Sequence, residues 1–197
     1  MIAPRHKRRI GLLIPAIAAA IGIGTWLTNW TLDHKCKQRF EANLVRITEL
    51  LALPEELAPA AKFDAVRVLV HRHSRHGRDS SAFRKLIGRN ELITEALISH
   101  ATDQNSEPLQ AECSIRSNLM AAVLRKLGFK TRIVYLFDTD GKDGDKLRSH
   151  TFVDVLNPAT EEWESHDPDY NLYWRCRLLD RALTKSQTSG SAVSLRG

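Results

Sequence analysis

The sequence predicts an α+β domain behind a single membrane-spanning helix. Three observations carry this: an uncharged run of 23 residues at 10–32, helical periodicity that continues to Gly128, and three β-rich segments separated by turns between Thr131 and Asp167. Helices gathered in the first part and strands in the last follow the α+β order.

The amino-terminal element comes first. Residues 1–9 are basic through Arg5, Lys7, Arg8 and Arg9, and the run that follows contains no charged side chain. A spanning helix needs ~20 mostly apolar residues, whereas the apolar stretch of a cleavable signal is nearer ~7–15, so the length favours a retained anchor. Pro15, Gly11, Gly22 and Gly24 are tolerable in a membrane helix, and Trp26 and Trp30 suit the far interface. Basic residues before the span hold that end in the cytoplasm. The expectation is a single-pass inner-membrane protein with its folded part in the periplasm or outside the cell. Two alternatives compete, a buried core helix and a cleaved signal using Ala18, Ala19 and Ala20.

At 197 residues there is room for one core-forming domain beside this segment. The composition, 43% hydrophobic and 26% charged, is that of a chain able to build a packed core. The net charge of +6 invites a nucleic-acid reading, yet residues 1–35 hold five of the 29 basic side chains and one acid, which leaves the rest at only +2. A phosphate-gripping domain needs a larger local excess, so no nucleic-acid partner is expected.

Residues 36–180 form the expected folded domain, and 181–197, rich in Ser, Thr and Gly, a disordered tail. Residues 36–53 read as a helix with Phe40, Leu44, Ile47 and Leu51 on one face, ended by Pro54 and Pro59. A second helix at 60–74 carries Phe63, Val66, Leu69 and Val70, and a third covers 91–100. Residues 114–127 repeat apolar side chains at Ile115, Leu119, Val123 and Leu127, with Gly128 as the stop. Strands are expected at 131–137, 150–156 and 162–167, with a turn at Asn157-Pro158.

Two metal readings arise and are set aside. His71, His73 and His76 cluster in sequence, but helical spacing points His71 and His73 to different faces and the flanking arginines repel cations. Asp138 and Asp140 open a segment with calcium-loop spacing, yet Asp143 stands where glycine is needed and Ser149 where glutamate is needed. No metal and no cofactor is expected.

The chemistry concentrates around one cysteine. Cys36, Cys113 and Cys176 are too few and too far apart for a disulfide framework or a zinc motif, and Cys36 and Cys176 are expected to be both free or joined to each other. Cys113 opens a helix, where exposed backbone N–H groups and the helix dipole favour thiolate and can hold an oxyanion. A histidine would take its proton, and a carboxylate would hold the imidazole in the useful tautomer. A turn centred between Pro158 and Ala159 would set His150 directly opposite Asp167, with Cβ atoms ~4.5–5.5 Å apart. Asp154, two pleats along the same face, and Asp169, beyond Pro168, are the second and third choices for the carboxylate.

Several segments together resemble the transglutaminase-like superfamily of papain-like thiol enzymes: AECSIRSNLMAAVLRKLGFKTRIVY, SHTFVDVLN, EEWESHDPDYN and the earlier VRVLVHRHSRHG. The likeness covers roughly 66–174 and includes the order Cys, His, Asp and the Trp before Asp-Pro. It implies a cysteine helix packed on an antiparallel sheet, Cys113 as nucleophile, His150 as base and Asp167 as orienting group. The residues before the cysteine, Gln110, Ala111 and Glu112, depart from the small or glycine-rich pattern usual there. Gln110 and Gln104 are therefore the oxyanion candidates, and Glu112 would raise the thiol pKa by like-charge repulsion.

The function expected from the resemblance is attack on an amide or peptide bond of a protein or peptide substrate, as in bacterial transglutaminase-like cysteine proteinases. The alternative is a non-catalytic module that keeps the fold for binding within an envelope or polysaccharide assembly.

Overall fold

The computed structural model describes the backbone of residues 5–77, 86, 88–103, 105–137 and 149–175, and within these ranges the side chains of residues 21–174. The expected disordered tail, the 138–148 connection and Cys176 lie outside the described residues. The chain divides into two compact units, 1–39 and 40–197.

The first helix, α1 (Arg5–Leu51), is longer than expected. The sequence predicts an anchor at 10–32 and a separate helix at 36–53; the backbone is instead one helix through both. Neither proline nor glycine occurs between Gly24 and Pro54, and the Lys37–Asp33 ion pair, 2.7 Å at i,i+4 spacing, bridges the anticipated break. The helix stops where Ala52 takes φ 45 and Pro54 follows. Among the described residues no helix is long and apolar enough to cross a membrane; the side chains of 10–20, half of the expected span, lie outside them.

The second unit is α+β. After α1 come α2 (Pro59–Arg72), β1 (Ser74–His76), α3 (Asn90–Thr102), β2 (Leu109–Ala111), α4 (Cys113–Lys126), β3 (Thr131–Phe137), β4 (Ser149–Asn157), β5 (Glu162–Asp167) and β6 (Leu172–Arg175). Strands β3 to β6 form one antiparallel sheet in sequence order, and β1 pairs with β2 in a separate parallel pair. Pro59 opens α2, where its missing N–H is not needed. Gly128, at φ 89, ends α4 with its N–H on the Arg125 carbonyl and the Phe129 N–H on Leu124.

Strand alternation sends Val153 and Val155 of β4 and Ile133 of β3 into the main core. There they meet Leu119, Met120, Val123 and Leu124 of α4, with Phe63, Val66 and Val70 of α2 and Ile93, Leu97 and Ile98 of α3 beside them. At ~1.5–3 kcal/mol for each fully buried side chain of this size, this cluster is the main force seating α4 on the sheet. Ser117 adds direction, because its hydroxyl donates to the Thr151 carbonyl at 2.8 Å.

The hairpin between β4 and β5 departs from the expected register. Val153 faces His166 and Asn157 faces Glu162, so the turn is centred between Ala159 and Thr160 and the strands sit two residues from the anticipated alignment. The cause is Pro158. Two-residue hairpin turns need positive φ at their first central residue, and proline is held near −65°. The chain instead uses a four-residue connection, 158–161, with Glu161 at φ 58 and its N–H on the Asn157 carbonyl at 2.8 Å. The Asn157 side chain also accepts the Ala159 N–H at 2.9 Å.

Candidate active site

Cys113 is the first residue of α4, delivered there by β2, and is a partly buried free thiol. Glu112 precedes it with extended backbone and makes no side-chain cap bond. Its carbonyl accepts the N–H groups of Ile115 and Arg116. The N–H groups of Cys113 and Ser114, at the very start of the helix, have no acceptor in a preceding turn and suit an oxyanion.

His150 is the second residue of β4 and pairs with Leu136 across the ladder. Its Nε2 lies 2.6 Å from Oδ2 of Asp167, the last residue of β5. The imidazole is 24% exposed and the carboxylate only 3%. The other carboxylate oxygen is held as well, because Asp167 Oδ1 accepts the N–H of Asp169 at 2.8 Å and of Tyr170 at 3.2 Å. A carboxylate fixed by two backbone donors presents its remaining oxygen in one direction, and that oxygen meets His150. With Nε2–H donating to Asp167, Nδ1 is left as the basic nitrogen.

The register shift does not separate this pair. Side chains alternate with period two, so a slip of two residues keeps His150 and Asp167 on the same face and converts a direct partner into a diagonal one. The diagonal is closed by the long reach of the imidazole.

The other two carboxylates are engaged elsewhere. Asp154 accepts Arg132 Nε at 2.8 Å and the Ser165 hydroxyl at 2.7 Å. Asp169 is bound by Arg116 and by His76, the latter at 3.1 Å.

Cys113 makes no hydrogen bond to His150 among the described residues. Two neighbours of the cysteine nonetheless tie its helix to the same end of the sheet. Ser117, one turn onward, bonds to Thr151, which is adjacent to His150, and Arg116 bonds to Asp169, two residues beyond Asp167.

Gln110 lies in β2, opposite Arg75 of β1, and its side chain is packed on Gly77: a Cβ there would come 2.7 Å from Gln110 Oε1. That close approach explains the glycine and engages the amide near β1. Gln104 lies outside the described residues.

Of the three clustered histidines, two reach the loop after Asp167 and one points elsewhere. His71 Nδ1 is 3.1 Å from the Pro168 carbonyl, His76 meets Asp169, and the His73 ring packs edge-on against His100 at 5.3 Å. Burial, reinforced by His100 and Arg72, holds His73 below the ordinary histidine range. Among the described residues no group of three or more His, Cys, Asp or Glu could hold a metal ion. A cavity of about 360 Å³ runs along α4 past Ile115, Leu119 and Arg125 and contains none of the three candidate catalytic residues.

Residues that sequence reasoning missed are Arg116 and Tyr170. Arg116 sits among the buried positions of α4, and a basic side chain on an otherwise apolar helix face was the available signal. Tyr170, 65% exposed, has its ring 5.1 Å from that of His150; nothing in its local sequence marks it. Comparison with models of known protein families, with curated proteins and with solved structures finds no match.

Proposed function

We propose that the chain is an exported, membrane-anchored thiol enzyme of the transglutaminase-like type, cleaving or transferring acyl groups at amide or peptide bonds of a protein or peptide substrate. Proteolysis or amide hydrolysis is the preferred outcome. The observation that carries the reading is the 2.6 Å contact between His150 and a buried Asp167 fixed by two backbone N–H groups, at the end of the sheet where α4 begins with Cys113.

In this mechanism His150 Nδ1 takes the Cys113 proton and the thiolate attacks the substrate carbonyl carbon. The oxyanion is held by the N–H groups at the start of α4. Collapse breaks the carbon–nitrogen bond, the amine leaves with the proton from His150, and a thioester remains. Water, deprotonated by the same imidazole, then releases the acid and restores the thiol; an amine in place of water gives transfer.

A second reading, a non-catalytic binding module, is favoured by the lack of a direct Cys113–His150 hydrogen bond. Such bonds are often long before substrate binds, so this observation weighs less than the ordered His–Asp pair. Thiol alkylation decides between them. Catalytic Cys113 should react with iodoacetamide rapidly near pH 7 and slow sharply in His150→Ala; slow reaction, indifferent to His150, would leave the binding module.

A further inference from the structure

The loop that follows Asp167 is clamped from several sides. Arg116 of α4 is buried, and its Nη1 donates to the carboxylate and, at 3.3 Å, to the carbonyl of Asp169. Its Nη2 reaches the carbonyls of His71 at 3.3 Å and Ser74 at 3.4 Å. Farther along, Arg67 Nη1 donates to both the carbonyl and the side-chain oxygen of Asn171 at 2.5 Å. The residue Arg116 grips is the one whose N–H supports Asp167 Oδ1, and Asp167 Oδ2 supports His150. A continuous series of direct contacts thus runs from the first turn of the cysteine helix to the imidazole.

The Arg116–Asp169 pair has side chains only 3% and 5% exposed. A pair this deeply buried gives little net stability over an apolar pair of the same volume, because desolvation offsets the attraction. Its geometry suggests a different use. The planar guanidinium spans two backbone segments and one carboxylate at once, which a lysine ammonium cannot match.

We propose that Arg116 is a positioning residue for the Cys113–His150–Asp167 site. Through Asp169 it holds the N–H groups of Asp169 and Tyr170 on Asp167, which turns the free carboxylate oxygen onto His150. By the same grip it fixes the first turn of α4, and so Cys113, relative to that pair. The proposal rests on the thiol-enzyme reading for its catalytic consequence, while its structural half concerns His150 and Asp167 alone.

The test uses the full chain carrying Arg116→Gln with Asp169→Asn, which replaces the ion pair by two neutral amides and leaves no lone buried charge. Arg116→Lys is the second variant and decides the matter if the double variant does not fold. Two quantities are read: the tautomer of His150 from its ring nitrogen NMR signals, and the pH profile of Cys113 alkylation by iodoacetamide, followed at the Cys113 peptide. The expected result is loss of the single Nε2–H tautomer and a fall in alkylation of about tenfold or more at pH 6.5, to the rate of the His150→Ala protein. Arg116→Lys should lie between the double variant and the wild type.

A folded variant with the wild-type tautomer and the wild-type profile overturns the proposal, even if it melts earlier. If wild-type Cys113 itself alkylates as an ordinary thiol and ignores His150→Ala, the enzyme reading fails. The tautomer then judges the structural half alone: an unchanged signal overturns it, a scrambled one upholds it.

Discussion

Replacing Asp167 by asparagine tests the site at its most constrained atom. The two backbone donors, from Asp169 and Tyr170, require an oxygen at the Oδ1 position, so the asparagine carbonyl stays there and its NH₂ group must face His150 Nε2. A donor now opposes that nitrogen, which must become an acceptor, and the ring proton moves to Nδ1. The nitrogen that the proposed mechanism uses as the base is then no longer basic. General-base assistance contributes ~10²–10⁴-fold, so the barrier should rise by about 2.7–5.4 kcal/mol at ~1.36 kcal/mol per decade. Folding should suffer less, about 1–2 kcal/mol, since the backbone donors keep an acceptor and only one charge-assisted bond changes character. The assay is the rate of Cys113 alkylation across pH, paired with urea unfolding. Asp154→Asn is the control, because Arg132 and Ser165 already occupy both of its oxygens. An Asp167→Asn protein as reactive as wild type, or an Asp154→Asn protein equally impaired, would refute the assignment.

Further expectations follow from other parts of the fold. Glu161→Gly should raise the urea midpoint by about 0.5–1 kcal/mol equivalent, since a residue at φ 58 with a side chain carries strain that glycine relieves; an equal or lower midpoint would contradict this. His73 has a folded pKa below its unfolded 6.5, through burial first and then His100 and Arg72. The unfolded chain therefore binds more protons just below pH 6.5, so this contribution to stability is full above that pH and is lost as pH falls toward the depressed folded value. Urea midpoints between pH 7.5 and 5 should drop less in His73→Gln than in wild type; parallel curves would exclude the effect. A reporter enzyme fused after Asp180 should be active only in the exported compartment if residues 10–32 anchor the chain, and cytoplasmic activity would end that reading.

What could be read from the sequence was whatever a local pattern encodes. The apolar repeat from Ile115 to Leu127 and the glycine after it mark α4 to within a residue or two, because helix bonds and caps involve residues close in the chain. Strands β3, β4 and β5 are similarly visible in β-branched and aromatic residues between turn signals. Parallel pairing of β1 with β2 was not visible, since each has three residues and its partner lies 35 positions away, where no periodicity registers. The continuous α1 was hidden by the change from apolar to charged side chains near Asp33, which alters what the helix faces and not whether its backbone bonds continue.

The His150–Asp167 contact illustrates how an expected pairing of side chains can survive a wrong register. Face membership depends only on whether residue numbers are odd or even along a strand, so it survives any even slip, while direct opposition depends on the turn, which Pro158 lengthened. A slip of one residue would have turned Asp167 into the core with His166 taking its place beside His150, and the sequence contains that histidine as its immediate neighbour. What holds the aspartate to the correct side is therefore not the hairpin alone. The strand ends at Asp167, and Pro168 follows it with no N–H for further pairing. The chain then turns back so that Asp169 and Tyr170 donate to the Asp167 carboxylate, and Arg116 and Arg67 secure that turn from the helices. The orientation of the carboxylate is thus set by contacts across about 50 to 100 residues of sequence, which is why the pair was legible from strand alternation and the residues that hold it were not.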